Sequence, residues 1–213
     1  GVKLEITAET ARRCLDEANF CFLYAPVYHA GMRYAAPVRA ALKTRTLFNI
    51  LGPLANPASP THGIYGVYSP HLLESYAQTL SLLGQRRALV VHGSGLDELA
   101  LHAESQVIEI NNSELRRYCV TPEDFGLSRY PLEAIKGGEP EENRAMVAAA
   151  LGGTGQPAHQ AAIAMNCGAL LKVTGIVDTF EQGAQMALAS MRAGEPLNVL
   201  KQVAQLSQET ENG

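Results

Sequence analysis

Three consecutive segments limit the folds open to this chain. Gly63 to Tyr68, GIYGVY, has the short apolar and aromatic content of a strand. Ser69-Pro70 then opens a helix through Leu72, Leu73, Tyr76, Leu80 and Leu83, and Gly84 closes it. Ala88 to Val91, ALVV, is fully apolar. A strand, a helix and a second strand joined by short links are the signature of a parallel pair buried on both faces. The expectation is an α/β fold: a mostly parallel central sheet flanked by helices.

The flanking sequence fits that layout. Thr7 can cap a helix whose apolar positions Ala11, Cys14, Leu15 and Ala18 keep helical spacing, with Asn19 ending it. Phe20 to Tyr24, FCFLY, reads as a short buried strand bounded by Asn19 and Pro26. Helical spacing resumes after His29 and runs to Leu42, with Pro37 at a first turn. Leu47 to Leu51 is a further short helix, stopped at Gly52-Pro53. Gln106 to Ile110 and Glu114 to Val120 flank Asn111-Asn112-Ser113 as a hairpin, and their charged faces suggest an outer position. Beyond Thr121 come loops, then helices over 141–151, 158–173, 180–193 and 198–206.

A chain of 213 residues with 46% hydrophobic and 18% charged residues can bury a full core. A net charge of -4 argues against a protein built to wrap nucleic acid. The cysteines Cys14, Cys21, Cys119 and Cys167 form no C-x-x-C pair and sit among apolar neighbours, so they are expected to be reduced, buried thiols of a cytoplasmic protein. No apolar run reaches membrane-spanning length, and no membrane partner is expected. Gly1-Val2-Lys3-Leu4 lacks an initiator Met and reads as the interior of a longer protein. The chain is therefore expected to be a fragment.

The clearest site signal follows the apolar strand: His92-Gly93-Ser94-Gly95-Leu96-Asp97-Glu98. In open α/β sheets, ligands sit beyond the carboxyl ends of the strands. Two adjacent carboxylates there suit Mg2+, which takes one or two carboxylates plus substrate oxygens and water. Spacing alone leaves a second reading open: a turn with Asp97 capping a helix and Glu98 exposed. Tyr28 to Pro57 is dense in both helix formers and aimed polar groups. Arg39 can fork onto a carboxylate or phosphate, or be a surface arginine. His29 is either a pocket residue or a satisfied structural one. Gly52-Pro53 either presents bare backbone to a flat ligand or simply stops a helix. Gly152-Gly153-Thr154-Gly155 lacks the Lys-Ser/Thr of a phosphate loop and reads as a link between helices.

PVYHAGMRYAAPVR, RTLFNILGPLANP and ALVVHGSGLDE, in this order and spacing, resemble the anthranilate phosphoribosyltransferase family. TPEDFGL and PEENR resemble its enterobacterial form. The resemblance implies a catalytic domain like those of nucleoside phosphorylases and phosphoribosyltransferases, with residues 1–213 as its major part. It implies transfer of the phosphoribosyl group from 5-phosphoribosyl 1-pyrophosphate to anthranilate, with release of pyrophosphate. It implies that Arg39 binds the anthranilate carboxylate, that His29, Met32, Gly52 and Pro53 line that pocket, and that Asp97 and Glu98 hold Mg2+. No single general base emerges. The family's helical N-terminal segment, through which a homodimer would form, its GTGGD pyrophosphate loop and a metal-site serine are absent here. The chain alone is thus expected to be inactive. The alternatives are a pyrimidine nucleoside phosphorylase-like enzyme and a nucleic-acid-binding relative.

Overall fold

The structure, a computed structural model, describes residues 1–29, 31 and 48–209. The chain divides into two compact units, Gly1–Pro57 with Glu195–Gly213, and Ala58–Gly194.

The first unit brings the two ends of the chain together. Helix α1, Ala8–Ala18, starts where the Thr7 hydroxyl accepts the Thr10 N–H at 3.1 Å and ends at Asn19 in the left-handed region. Short helices α2, Ala25–Tyr28, and α3, Phe48–Leu54, follow. Phe20 to Tyr24 forms no strand, because a strand exists only as part of a ladder and no described residue pairs with it. Phe20 and Phe22 are instead exposed. The α3 helix runs through Gly52-Pro53 rather than stopping there. Proline's φ suits a helix, and in so short a helix it forfeits a single N–H. The expected helix between His29 and Leu42 falls mostly outside the described residues. The last helix of the chain packs on α1 through Cys14, Ala18, Val203 and Leu206. Polar contacts lock the same seam: Arg13 Nη2 donates to Leu206 O at 3.2 Å and Gln202 Nε2 to Glu17 O at 3.0 Å.

The second unit holds a four-stranded sheet in the order β1, His62–Gly66; β2, Arg87–His92; β3, Ser105–Asn111; β4, Glu114–Val120. The β1–β2 pair is parallel, as expected, and helix α4, Leu73–Leu82, makes the crossover. The β2–β3 and β3–β4 pairs are antiparallel, so the sheet is mixed where a mostly parallel one was expected. No helix connects those strands, and without a crossover consecutive strands can pair only antiparallel. The hairpin turns at Asn112 and Ser113, both at positive φ. Its outer strand β4 exposes most of its residues, Cys119 among them, which corrects the expectation of four buried thiols. All four cysteines are free.

Three helices follow: α5, Pro140–Leu151; α6, Pro157–Thr174; α7, Phe180–Ala193. The last helix of the chain, α8, Glu195–Gln208, belongs to the first unit. Helix α6 lies on β1 and β2 while α4 packs on β2 and β3. Covered in this way, β2 is buried from Ala88 to His92, as its apolar run ALVV requires. The α6–α7 crossing is close because glycines face each other. A Cβ on Gly168 would lie 2.5 Å from Ala184 N, and one on Gly183 would overlap Gly168 O. Gly153, at φ +78°, turns the link between α5 and α6 against Met191. Among the described residues, no helix is long and apolar enough to cross a membrane.

Gly168→Ala should therefore cost about 1–3 kcal/mol through overpacking, read as a lower denaturant midpoint at unchanged slope. A second expectation concerns pH. Hydrogen bonds from Arg129 hold the Glu123 carboxyl down at about 2. A depressed carboxyl contributes stability above its unfolded-state value, lost as pH falls toward the folded one. Arg129→Gln should move the Glu123 titration, followed by carboxyl NMR, up toward the usual carboxylate range.

Candidate functional site

The site is built on the carboxyl end of β2. Parallel pairing continues one residue past β1: Val67 N–H donates to Val91 O at 2.9 Å. The buried His92 ring then clamps both sides. Its Nδ1 donates to Val67 O at 2.8 Å, and Gly95 N–H donates to its Nε2 at 3.2 Å. One neutral tautomer, protonated at Nδ1, satisfies both bonds. The chain turns through Ser94 at φ 48° and Gly95 at φ 103°, and Gly93 and Leu96 exchange hydrogen bonds across the turn. Ser94 Oγ donates to Glu104 O at 2.8 Å, which absorbs the strained serine into the loop.

Two glycines seat the acidic pair. A Cβ on Gly66 would overlap the carbonyl oxygen of Asp97, and one on Gly93 would overlap that of Glu98. Each neighbouring strand end thus passes bare backbone against one of the two residues. Immediately downstream, Leu99 N–H donates to Asn166 Oδ1 at 3.0 Å, and Asn166 Nδ2 donates to Leu99 O at 3.4 Å. Ala100 N–H donates to the buried Ser105 hydroxyl at 2.9 Å.

Asp97 and Glu98 stand exposed on this braced segment, and among the described residues neither is in an ion pair. Glu98 also borders a cavity of about 230 Å³ lined chiefly by Ile135, Met146, Val147, Ala162 and Ile163. That apolar wall strips water from its carboxyl and pushes its pKa up, and the adjacent Asp97 charge pushes the same way. A divalent cation would relieve this repulsion. The donor set fits Mg2+: two carboxylates leave the remaining positions to ligand oxygens and water. Among the described residues no cluster of three or more His, Cys, Asp and Glu forms a closed cage.

Of the other sequence-predicted site residues, His29, Gly52 and Pro53 lie in the first unit. His29 closes α2, half-buried, its N–H bonded to Ala25 O at 2.9 Å. Gly52 and Pro53 lie inside α3. A Cβ on Gly52 would meet nothing within 4 Å, so packing against described residues does not demand glycine there. Arg39 and Met32 lie outside the described residues. Sequence reasoning included Gly93 in the site stretch without its contact to Glu98, and missed Gly66 and Asn166. For Asn166 a signal existed: it is the lone carboxamide in the apolar helical run AAIAMNCGALL.

An α/β unit that presents a braced carboxylate pair past the end of a buried strand defines a class that receives polar, charged ligands at the sheet's carboxyl edge. The chain belongs to the glycosyl transferase family, a/b domain, whose description its residues 1–197 match. It is 58% identical over 207 residues to anthranilate phosphoribosyltransferase of Tolumonas auensis, covering 97% of this chain and 62% of that one. It is 53% identical over 208 residues to the protein of that name from Psychromonas ingrahamii, covering 98% of this chain and 61% of that one. Among solved structures, anthranilate phosphoribosyltransferase from Thermus thermophilus superposes with TM-score 0.91 at 41% identity, over 98% of this chain and 62% of that chain. The Saccharomyces cerevisiae enzyme in complex with PRPP and Mg gives TM-score 0.87 at 27% identity, over 96% and 59%. The chain thus spans about three-fifths of the length of these relatives.

Gly66→Ala should push the Asp97 carbonyl away and loosen the acidic segment. Amide exchange at Leu99 and Ala100 should speed up markedly while exchange in the centre of β2 stays slow; unchanged exchange at Leu99 would remove Gly66 from the brace.

Proposed function

We propose that this chain is the later part of an anthranilate phosphoribosyltransferase of tryptophan biosynthesis. The whole enzyme transfers the phosphoribosyl group of 5-phosphoribosyl 1-pyrophosphate to the amine of anthranilate and releases pyrophosphate. The carrying observation is the Asp97–Glu98 pair, seated by Gly66 and Gly93, in a chain 58% identical to a relative of that name. The yeast relative's complex with PRPP and Mg supports the choice of ion and donor.

In this reading Asp97 and Glu98 hold Mg2+, which when bound neutralises charge on the departing diphosphate. Arg39 forks onto the anthranilate carboxylate, and His29, Met32, Gly52 and Pro53 shape the pocket around the ring. An aromatic amine is weakly basic and needs alignment with C1 more than deprotonation, so these residues act by holding it. Residues 1–213 supply the major part of the catalytic domain. The helical N-terminal domain and the glycine-rich pyrophosphate loop lie outside this chain, and a cytoplasmic homodimer forms through that upstream segment. Neither a membrane nor a nucleic acid is a partner.

The test joins the upstream part of the Tolumonas auensis relative to residue 1 and assays pyrophosphate release with both substrates. The chimera should turn over and the 213-residue chain alone should not. Turnover by the chain alone would refute its incompleteness, and a folded but inert chimera would refute the assignment. In the chimera, Arg39→Ala should lower kcat/KM for anthranilate roughly ten- to a hundredfold, the equivalent of about 1.5–3 kcal/mol for one charged hydrogen bond, with far less effect on the ribosyl donor. Gly52→Ala should raise KM for anthranilate without destabilising the protein, because alanine in a helix is better than glycine by about 0.5–1 kcal/mol.

A further inference from the structure

We infer that Asn166 is a positioning residue for the Asp97–Glu98 pair: its carboxamide fixes the backbone from which both carboxylates project, and so sets the site's affinity for a divalent cation with diphosphate. The inference rests on the reading of that pair as cation ligands.

Asparagine in mid-helix is unfavourable, because its side chain competes for backbone groups. Asn166 nonetheless sits in the middle of α6, next to the fully buried Met165 and near the buried Ala164 and Ala169. Its amide leaves the helix to serve the loop. Oδ1 accepts Leu99 N–H at 3.0 Å, and Nδ2 donates to Leu99 O at 3.4 Å and to Ala162 O at 3.1 Å. A carboxamide that meets the N–H and the C=O of the same residue acts like one rung of a strand ladder. It fixes both the position and the rotation of that peptide segment, which a single hydrogen bond does not. Leu99 is buried and directly follows Glu98, so any rotation there swings the acidic pair.

The bond to Ala162 O ties the amide to its own helix, so its direction does not drift. Gly66 and Gly93 hold the same segment by close contact on the strand side. Asn166 supplies the opposing hold from α6. Outer-shell groups that orient metal ligands typically change affinity ten- to a hundredfold when lost, and Asn166 acts through the backbone of the residue next to Glu98.

The test uses the 213-residue chain, titrated with Mn2+ as a paramagnetic stand-in for Mg2+ in the presence of inorganic diphosphate. Free Mn2+ is read by electron paramagnetic resonance at a temperature where circular dichroism shows every variant folded. Asn166→Leu should weaken Mn2+ binding by roughly ten- to a hundredfold. Asn166→Ser, smaller and still polar but unable to span both bonds, should weaken it in the same direction and serves if the leucine variant does not fold. Gly168→Ala, which strains the neighbouring helix crossing without touching the loop, should leave Mn2+ affinity unchanged. Asp97→Asn separates the two ideas. If it weakens binding while the folded Asn166 variants do not, the positioning role is refuted and the cation pair stands. If the wild-type chain does not bind, or Asp97→Asn and Glu98→Gln change nothing, the cation reading fails and the inference falls with it. Equal loss in Gly168→Ala would mark a general effect of stability and also refute the role.

Discussion

The approach of the end of β1 to the loop after β2 is the contact that the site depends on. Two backbones come this close only where a side chain is missing, and Gly66 provides that gap against the Asp97 carbonyl. Gly93 repeats the device against Glu98. Between them, His92 converts the parting of two parallel strands into a closed corner by bonding Val67 O on one side and Gly95 N–H on the other. The acidic pair is therefore held by backbone geometry, and among the described residues its carboxylates enter no ion pair. Sites on such rigid elements lose little entropy when a ligand arrives.

Helix α6 links the fold to this corner. Its apolar face covers β1 and β2, and Gly168 lets it cross α7 at backbone contact. From the same helix Asn166 reaches Leu99. The electrostatics point the same way. An apolar cavity wall and a like charge both act against the ionised form of Glu98. Such tension is costly in a purely structural acidic pair and is relieved by a bound cation.

Much of the fold was legible from local pattern alone. The βαβ unit, the Asn-rich hairpin and the four late helices all carry periodicity and end signals that act over a few residues. Thr7 and Asn19 mark the ends of α1 as their side chains and backbone preferences dictate. The place of Asp97 and Glu98 in the loop beyond the apolar strand was legible too, because the turn residues Gly93 to Gly95 separate them from it. Phe20 to Tyr24 shows the limit: its composition suits a strand, but a ladder needs a partner, and composition cannot supply one.

The sequence by itself determined the α/β class, the buried parallel pair and the place of the carboxylates, since each depends on neighbours in the chain. Only the tertiary structure decided that the sheet is mixed, that Gly66 and Gly93 are seats rather than hinges, and that Asn166, 67 residues from Leu99, braces the site. Those facts depend on contacts between segments far apart in the chain, and the identity of a glycine or an asparagine says nothing about what will be folded against it.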